Sequence, residues 1–405
     1  MIPITKPTIG EEEVAAATEA LRSGWVSQGP RVAEFERAFA AYVGAEHACA
    51  VSSCTTALHM ALLAVGVKPG DQVITVSHSF IATANSIRYC GAIPVFVDID
   101  PETYNIDPAL IESAITEHTK AILVVHQMGM PCDLPSILEA ASRHGLPVIE
   151  DAACAIGSEI RVGAHWERIG KPHGDIACFS FHPRKVITAG EGGMLTTRNA
   201  VWDSQFRGLR QHSMSVPDTK RHASSDVIFE SYPELGFNFR MTDLQAAVGC
   251  EQLKRLPEIV DKRRELAARY TAILSDVPAL GLPREPEWAR SNWQSYCVRL
   301  PDSSNQRGVM QHMLDAGVAT RRGIMCSHRE AAYPPAAWSC ASRLNQRCEC
   351  GPVSCTNLQK SEEAQDRSII LPLYPQMTVE DQNQAVHSLR QALDVRQERL
   401  RTERA

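Results

Sequence analysis

Long hydrophobic runs are missing from this 405-residue chain. No apolar stretch approaches the ~18 residues that a membrane-spanning helix requires, so no transmembrane segment is expected. The opening residues, MIPITKPTIGEEEVAAATEA, lack the basic-then-apolar order of an export signal, which makes the cytoplasm the expected location. An excess of positive charge is missing too: 41 Lys and Arg stand against 47 Asp and Glu, a formal charge of −6. A general nucleic-acid binder needs a basic face to displace phosphate counterions, so that class is set aside. No internal repeat is found.

What is present is an ordinary soluble composition, 44% hydrophobic and 22% charged, in a chain long enough for two domains. The unusual count is 13 cysteines. Without an export signal a reducing compartment keeps them as thiols. Nine are scattered from Cys49 to Cys326, where a small buried hydrophobe is the plain reading. The remaining four, Cys340, Cys348, Cys350 and Cys355, crowd into sixteen residues.

Along the first two-thirds, strand and helix patterns alternate. Residues 11–22 and 32–43 have amphipathic helical spacing. Apolar runs follow at His47–Val51, Gln72–Val76, Pro94–Asp98, Ala121–Val125 and Pro147–Glu150. Helix-like stretches at Thr55–Ala64, Ile81–Tyr89, Pro108–Ile115 and Leu134–His144 separate them. This order predicts a mainly parallel α/β sheet covered on both faces. From 177 to 197 the pattern is strand, glycine-rich turn, strand, and a helix resumes at Thr242 and runs past Pro257 to about Leu274. A boundary near residue 280 divides a large domain, 1–280, from a smaller α+β domain, 281–405.

Ligands in open α/β sheets sit where strand ends lead into helices, and three such loops have suitable chemistry. Ser52-Ser53-Cys54-Thr55-Thr56 offers hydroxyls and free N–H groups at a helix start, an anion site or equally a helix cap. Glu150-Asp151-Ala152-Ala153-Cys154 ends an apolar strand with carboxylates, whose burial calls for a cation or donors; a cap by Asp151 is the plainer reading. Phe179-Ser180-Phe181-His182-Pro183-Arg184-Lys185 sets a lysine among apolar residues before Gly190-Glu191-Gly192-Gly193, where partial burial favours the neutral, nucleophilic amine. A phosphate pocket, an acid for a ring nitrogen and a lysine are together the three fixtures of pyridoxal 5'-phosphate.

The run Ser180-Phe181-His182-Pro183-x-Lys185-x-Ile187-Thr188-x-Gly190-Glu191-Gly192-Gly193-Met194 resembles the DegT/DnrJ/EryC1/StrS family of sugar aminotransferases. The likeness runs from Pro3 to about Leu393, broken near 338–357. It implies an aspartate aminotransferase-like fold of type I, with a mixed, mainly parallel sheet in the large domain. It further implies Lys185 as the catalytic Schiff-base lysine and Asp151 as partner of the pyridine nitrogen. Thr55, Thr56 and Ser180 would hold the phosphate, Phe80 would lie over the ring and Cys154 beside it. Asn238, in Gly236-Phe237-Asn238-Phe239-Arg240, would reach the phosphate of a neighbouring subunit, implying a homodimer. His328 would border the substrate, expected to be a nucleotide-linked keto sugar with L-glutamate as amino donor. Arg210 and His212 also match a recurring segment, where a structural role is equally consistent.

Three positions depart from the family pattern: Cys54 for a common Gly, Cys154 for a Gln or His, and Ile324 for a Tyr. Related sugar dehydratases carry His in place of Lys185, which speaks against that activity. Two rival activities stay open on the same residues, amination of a keto-cyclitol and a non-enzymatic regulatory role for the same fold. The cysteine quartet lacks the paired C-x-x-C knuckles of common zinc sites, so thiols rather than a metal centre are expected there, with a zinc staple as the lesser expectation.

Overall fold

The computed structural model describes residues 1–216, 224–341, 350–351 and 353–402. Two helices, α1 (Glu11–Ser23) and α2 (Pro30–Val43), precede the first strand, β1 (His47–Val51). Then come α3 (Cys54–Ala64), β2 (Gln72–Val76), α4 (Ala82–Tyr89), β3 (Ile93–Val97), β4 (Thr119–Val125), α5 (Leu134–Arg143) and β5 (Val148–Asp151). A hairpin of β6 (Glu159–Val162) and β7 (His165–Arg168) follows, then β8 (Ile176–Ser180), β9 (Gly193–Thr197) and α6 (Ala200–Leu209). The long helix α7 (Asp243–Leu274) leads to β10 (Ala289–Arg290), β11 (Tyr296–Arg299), α8 (Gln306–Asp315) and β12 (Arg321–Arg322). The chain closes with β13 (Ser339–Cys340), α9 (Gln359–Arg367), β14 (Ser368–Leu371) and α10 (Val379–Thr402).

Eight strands form one sheet in the order β1-β9-β8-β5-β4-β2-β3-β13. All its pairs are parallel except those of β9, which runs against both β1 and β8. Successive strand residues face opposite sides, and both sides are buried. In β1, Ala48 and Ala50 enter one apolar core while Cys49 and Val51 enter another on the opposite face. This is the mixed, mainly parallel sheet expected of fold type I.

A second sheet, β11-β14-β12, packs Tyr296, Val298, Ile369 and Leu371 against Tyr270 of α7, Met313 of α8 and Leu389 of α10. We propose the division near residue 280 as the domain boundary, with two ties across it. Ile2 joins the second core, and β13 pairs in parallel with the edge strand β3. The helix expected at 108–115 is instead two short 3₁₀ turns, Pro108–Leu110 and Glu112–Ala114. Asp107 caps the first turn at the Ala109 N–H, and the tighter turns still align Ile111 and Ala114 toward the core. No helix of the described residues is long and apolar enough to cross a membrane.

Candidate active site

Strands β1, β8, β5, β4 and β2 point the same way, so the loops leaving their carboxyl ends gather along one rim. That is where the crossover geometry of an open α/β sheet leaves a crevice. β5 ends at Asp151, and strand alternation turns its two acids apart. Glu150 faces away and bonds the Nε2 of His126 at 3.0 Å while accepting the Gly174 N–H at 2.8 Å. The His126 Nδ1 accepts the Cys132 N–H, which leaves the ring proton on Nε2, donated to Glu150. Glu150 is therefore compensated within the scaffold.

Asp151 faces the rim. Its Oδ2 accepts from the Thr83 hydroxyl at 2.7 Å and its Oδ1 from the Ala153 N–H at 3.2 Å. The carboxyl is 5% exposed, and burial raises its pKa despite the Thr83 and Ala153 donors and the charge of Lys185. A cationic N–H placed against it would relieve that cost. Thr83 is in turn bonded to Ser79, next to Phe80, which the chain leaves 61% exposed.

Lys185 follows β8 in a turn closed by its own N–H to the His182 carbonyl. Its Nζ donates to the Cys154 sulfur at 3.1 Å. Burial draws its pKa down, as the apolar flanks imply, but the sulfurs of Cys154 and Cys54 and the Asp151 carboxylate outweigh it, and the net shift is upward. The downward shift expected from burial alone is thus corrected: the groups around the amine set the direction, not its burial. Cys154 is fixed by Asn292, whose amide donates to the carbonyls of Cys154 and Ile156 at 2.8 Å each.

At the start of α3, Ser53 caps the helix by accepting the Thr56 N–H at 3.1 Å. The Thr56 hydroxyl returns to the Ser53 carbonyl at 2.7 Å. The hydroxyl of Thr55 makes no hydrogen bond among the described residues and stands with the first N–H groups of the helix at its positive end. Of the two readings of this loop the cap is seen, at Ser53, and Thr55 is left as an open donor. Ser180, at the end of β8, accepts only a long 3.5 Å contact from the His182 N–H. A buried carboxylate, an amine and a donor-rich helix start thus converge on one rim, and these groups fit pyridoxal phosphate.

Other singled-out residues lie further off. His328 is fully buried, its Nδ1 2.7 Å from the Ser77 hydroxyl and its Nε2 3.0 Å from Glu362. Both ring nitrogens are engaged within the chain, so direct contact with a substrate requires one of these bonds to open. Asn238 is exposed, on a segment bridged to Gln211. Arg210 is buried and bonds Glu36 at 2.5 Å, a structural pairing, and His212 lies in the left-handed region with φ 62°. Ile324 is packed at the margin of the first core. Arg184 and Arg321 line a small cleft with Thr5 and Gln294. Burial first, and then the nearby charges of Arg184 and Arg322, lower the pKa of Arg321. Thr83, Asn292, His126 and Arg184 had no signal of their own in the sequence.

The spore coat polysaccharide biosynthesis protein SpsC of Bacillus subtilis is 37% identical to this chain, covering 96% of each. The aminotransferase TlmJ from Streptoalloteichus hindustanus superposes with a TM-score of 0.85 at 33% identity, over 98% of this chain and 99% of that one. Spr1654 from Streptococcus pneumoniae in its PLP form gives 0.85 at 25% identity, over 97% and 98%. The family model described as the DegT/DnrJ/EryC1/StrS aminotransferase family matches residues 7–390. This chain belongs to that family of sugar aminotransferases and is a pyridoxal phosphate-dependent enzyme.

Proposed function

We propose that the enzyme moves an amino group from L-glutamate to a keto sugar carried on a nucleotide, in the cytoplasm, as a homodimer with shared sites. The observation that carries this reading is the contact of Lys185 with Cys154 at 3.1 Å beside the buried Asp151, with Arg184 and Arg321 at the neighbouring cleft. Paired guanidiniums favour anions, and both the carboxylates of glutamate and the phosphates of a nucleotide supply them. Bound pyridoxal phosphate supplies a carbonyl that carries the amino group and a protonated ring that draws electrons from the reacting carbon.

The residues divide the work. Asp151 holds the proton on the ring nitrogen through a charge-assisted hydrogen bond, and its burial strengthens that bond. Lys185 Nζ would take the proton from the donor's amine-bearing carbon as base and, as acid, deliver it to the carbonyl carbon that the cofactor supplies. Thr55, Ser180 and the N–H groups opening α3 hold the phosphate, with Thr56 acting through the cap. Phe80 would cover the ring, and Cys154, which accepts from Lys185 Nζ at 3.1 Å, would lie beside it.

The dimer reading rests on the segment before Asn238. Val227, Phe229 and Leu235 are 84–91% exposed there, an apolar patch suited to burial against a second copy. Incubation with L-glutamate and a panel of nucleotide-linked keto sugars is expected to yield 2-oxoglutarate and an amino sugar by mass spectrometry. Lys185→Ala is expected to abolish both. Amination of a keto-cyclitol and of no nucleotide sugar overturns the acceptor, and turnover by Lys185→Ala overturns the assignment of the lysine.

A further inference from the structure

The aminotransferase chemistry leaves the cysteine-rich insertion unused. Cys340 lies on β13 and Cys355 just before α9, yet their sulfurs converge with that of Cys350. Cys350 Sγ is 3.6 Å from Cys340 Sγ and 3.3 Å from Cys355 Sγ, and the three lie within 4.8 Å of one another. Thiolates bound to one tetrahedral zinc at about 2.3 Å each stand about 3.8 Å apart, close to this spacing. Cys348 lies outside the described residues, so the three described sulfurs carry the inference.

The surroundings also fit a bound cation. The Asn357 side-chain amide donates to Cys340 Sγ at 3.5 Å, and its backbone N–H donates to Cys355 Sγ. Such N–H donors are what surround metal-bound thiolates. Phe96, Tyr333, Trp338 and Leu358 form an apolar shell around the two buried cysteines. Cys350 is disulfide-bonded in the structure, which makes a sulfur–sulfur bond the rival occupant.

We propose that Cys340, Cys350 and Cys355 bind a structural zinc ion that fastens Cys350 and Cys355 to β13 at the edge of the large sheet. A thiol reductant first supplies two electrons and two protons to open the disulfide at Cys350 and is itself oxidised to a disulfide; each thiol that then ligates the ion releases one proton, and zinc binding itself transfers no electrons. The brace extends inward, because the Cys355 N–H donates to Glu362 at 2.6 Å and Glu362 bonds His328, which bonds Ser77 at the end of β2. This proposal is independent of which sugar the enzyme aminates.

The test is metal analysis of the full-length holoenzyme purified with a thiol reductant and without chelator. About one zinc per chain is expected, falling at least about tenfold in Cys340→Ser and Cys355→Ser while the cofactor absorbance persists. Cobalt substitution of the wild-type chain is expected to give thiolate-to-metal charge-transfer bands, a readout that does not depend on the variants folding. Three results overturn the proposal. One is less than about a tenth of a zinc per chain after the reduced protein is incubated with zinc. The second is undiminished zinc in folded Cys350→Ser and Cys355→Ser. The third is a disulfide at Cys350 in protein kept under reductant.

Discussion

Glu36 shows how much of this molecule rests on single charged groups. It is buried at the junction of α2 and β1, accepts the Ala50 N–H and pairs with Arg210 and Arg207. Burial pushes its carboxyl up, but the two guanidiniums outweigh burial and hold it below its ordinary 4.5. The unfolded chain therefore binds the proton more readily, and the stability Glu36 contributes is full above about pH 4.5 and lost as pH falls through the depressed value. Glu36→Gln is expected to cost about 3–5 kcal/mol in denaturant unfolding, because it leaves the buried Arg210 guanidinium without its carboxylate, while the more exposed Arg207 keeps Asp203. It is also expected to flatten the acid limb of the stability profile; an unchanged limb would mean that Glu36 does not govern it. Residues also mark where sequence reading stops. Lys185 was singled out by the long motif it sits in, whereas Asp151 alone read as a helix cap and gained its expected role only from the resemblance that motif carries. The net upward shift of Lys185 was not, because it depends on Cys154, a residue thirty-one positions away, pointing its sulfur at the amine. Thr83 and Asn292 are ordinary polar residues whose importance comes only from what the fold sets against them.

At the scale of elements, the site depends on how closely β9 passes the cap of α3. A Cβ at Gly193 would lie 2.4 Å from the Ser53 carbonyl oxygen and 2.7 Å from the Cys54 nitrogen. Both are backbone atoms and cannot swing aside, and the Val51–Gly193 register of the β1–β9 pair fixes the approach. Gly193→Ala is expected to destabilise the fold by about 1–3 kcal/mol, the usual range for overpacking. It is further expected to weaken cofactor binding, because the displaced loop carries Thr55; thermal unfolding with and without added cofactor reads the two effects separately. Elements of this kind were the most legible part of the sequence. β1 and β2 match their expected limits, since strands buried on both faces leave unbroken apolar runs. The β6–β7 hairpin and β13 were not read, the first because its short strands are largely polar and half exposed, the second because two residues carry no periodicity.

For the whole molecule, the proposed sharing of sites has a direct test in mixed dimers. Lys185→Ala and Asn238→Ala chains, each inactive alone, are expected to regain activity when unfolded and refolded together. If Asn238 serves the neighbouring site, each hybrid holds one site with both defects and one with neither. Random pairing makes half the dimers hybrid, so about a quarter of wild-type activity returns. No recovery places Asn238 in its own subunit's site. The pairing of β13 with β3 bears on a different matter, the order in which the chain is made. During synthesis the β3 edge emerges more than two hundred residues before the strand that covers it, and Ile2 waits still longer for Val318, its bridge partner. Until then the nascent sheet presents an uncovered row of N–H and C=O groups, the surface from which aggregates grow. Folding of this enzyme is therefore expected to be slow, completed only late in synthesis, and dependent on chaperones to shield that edge.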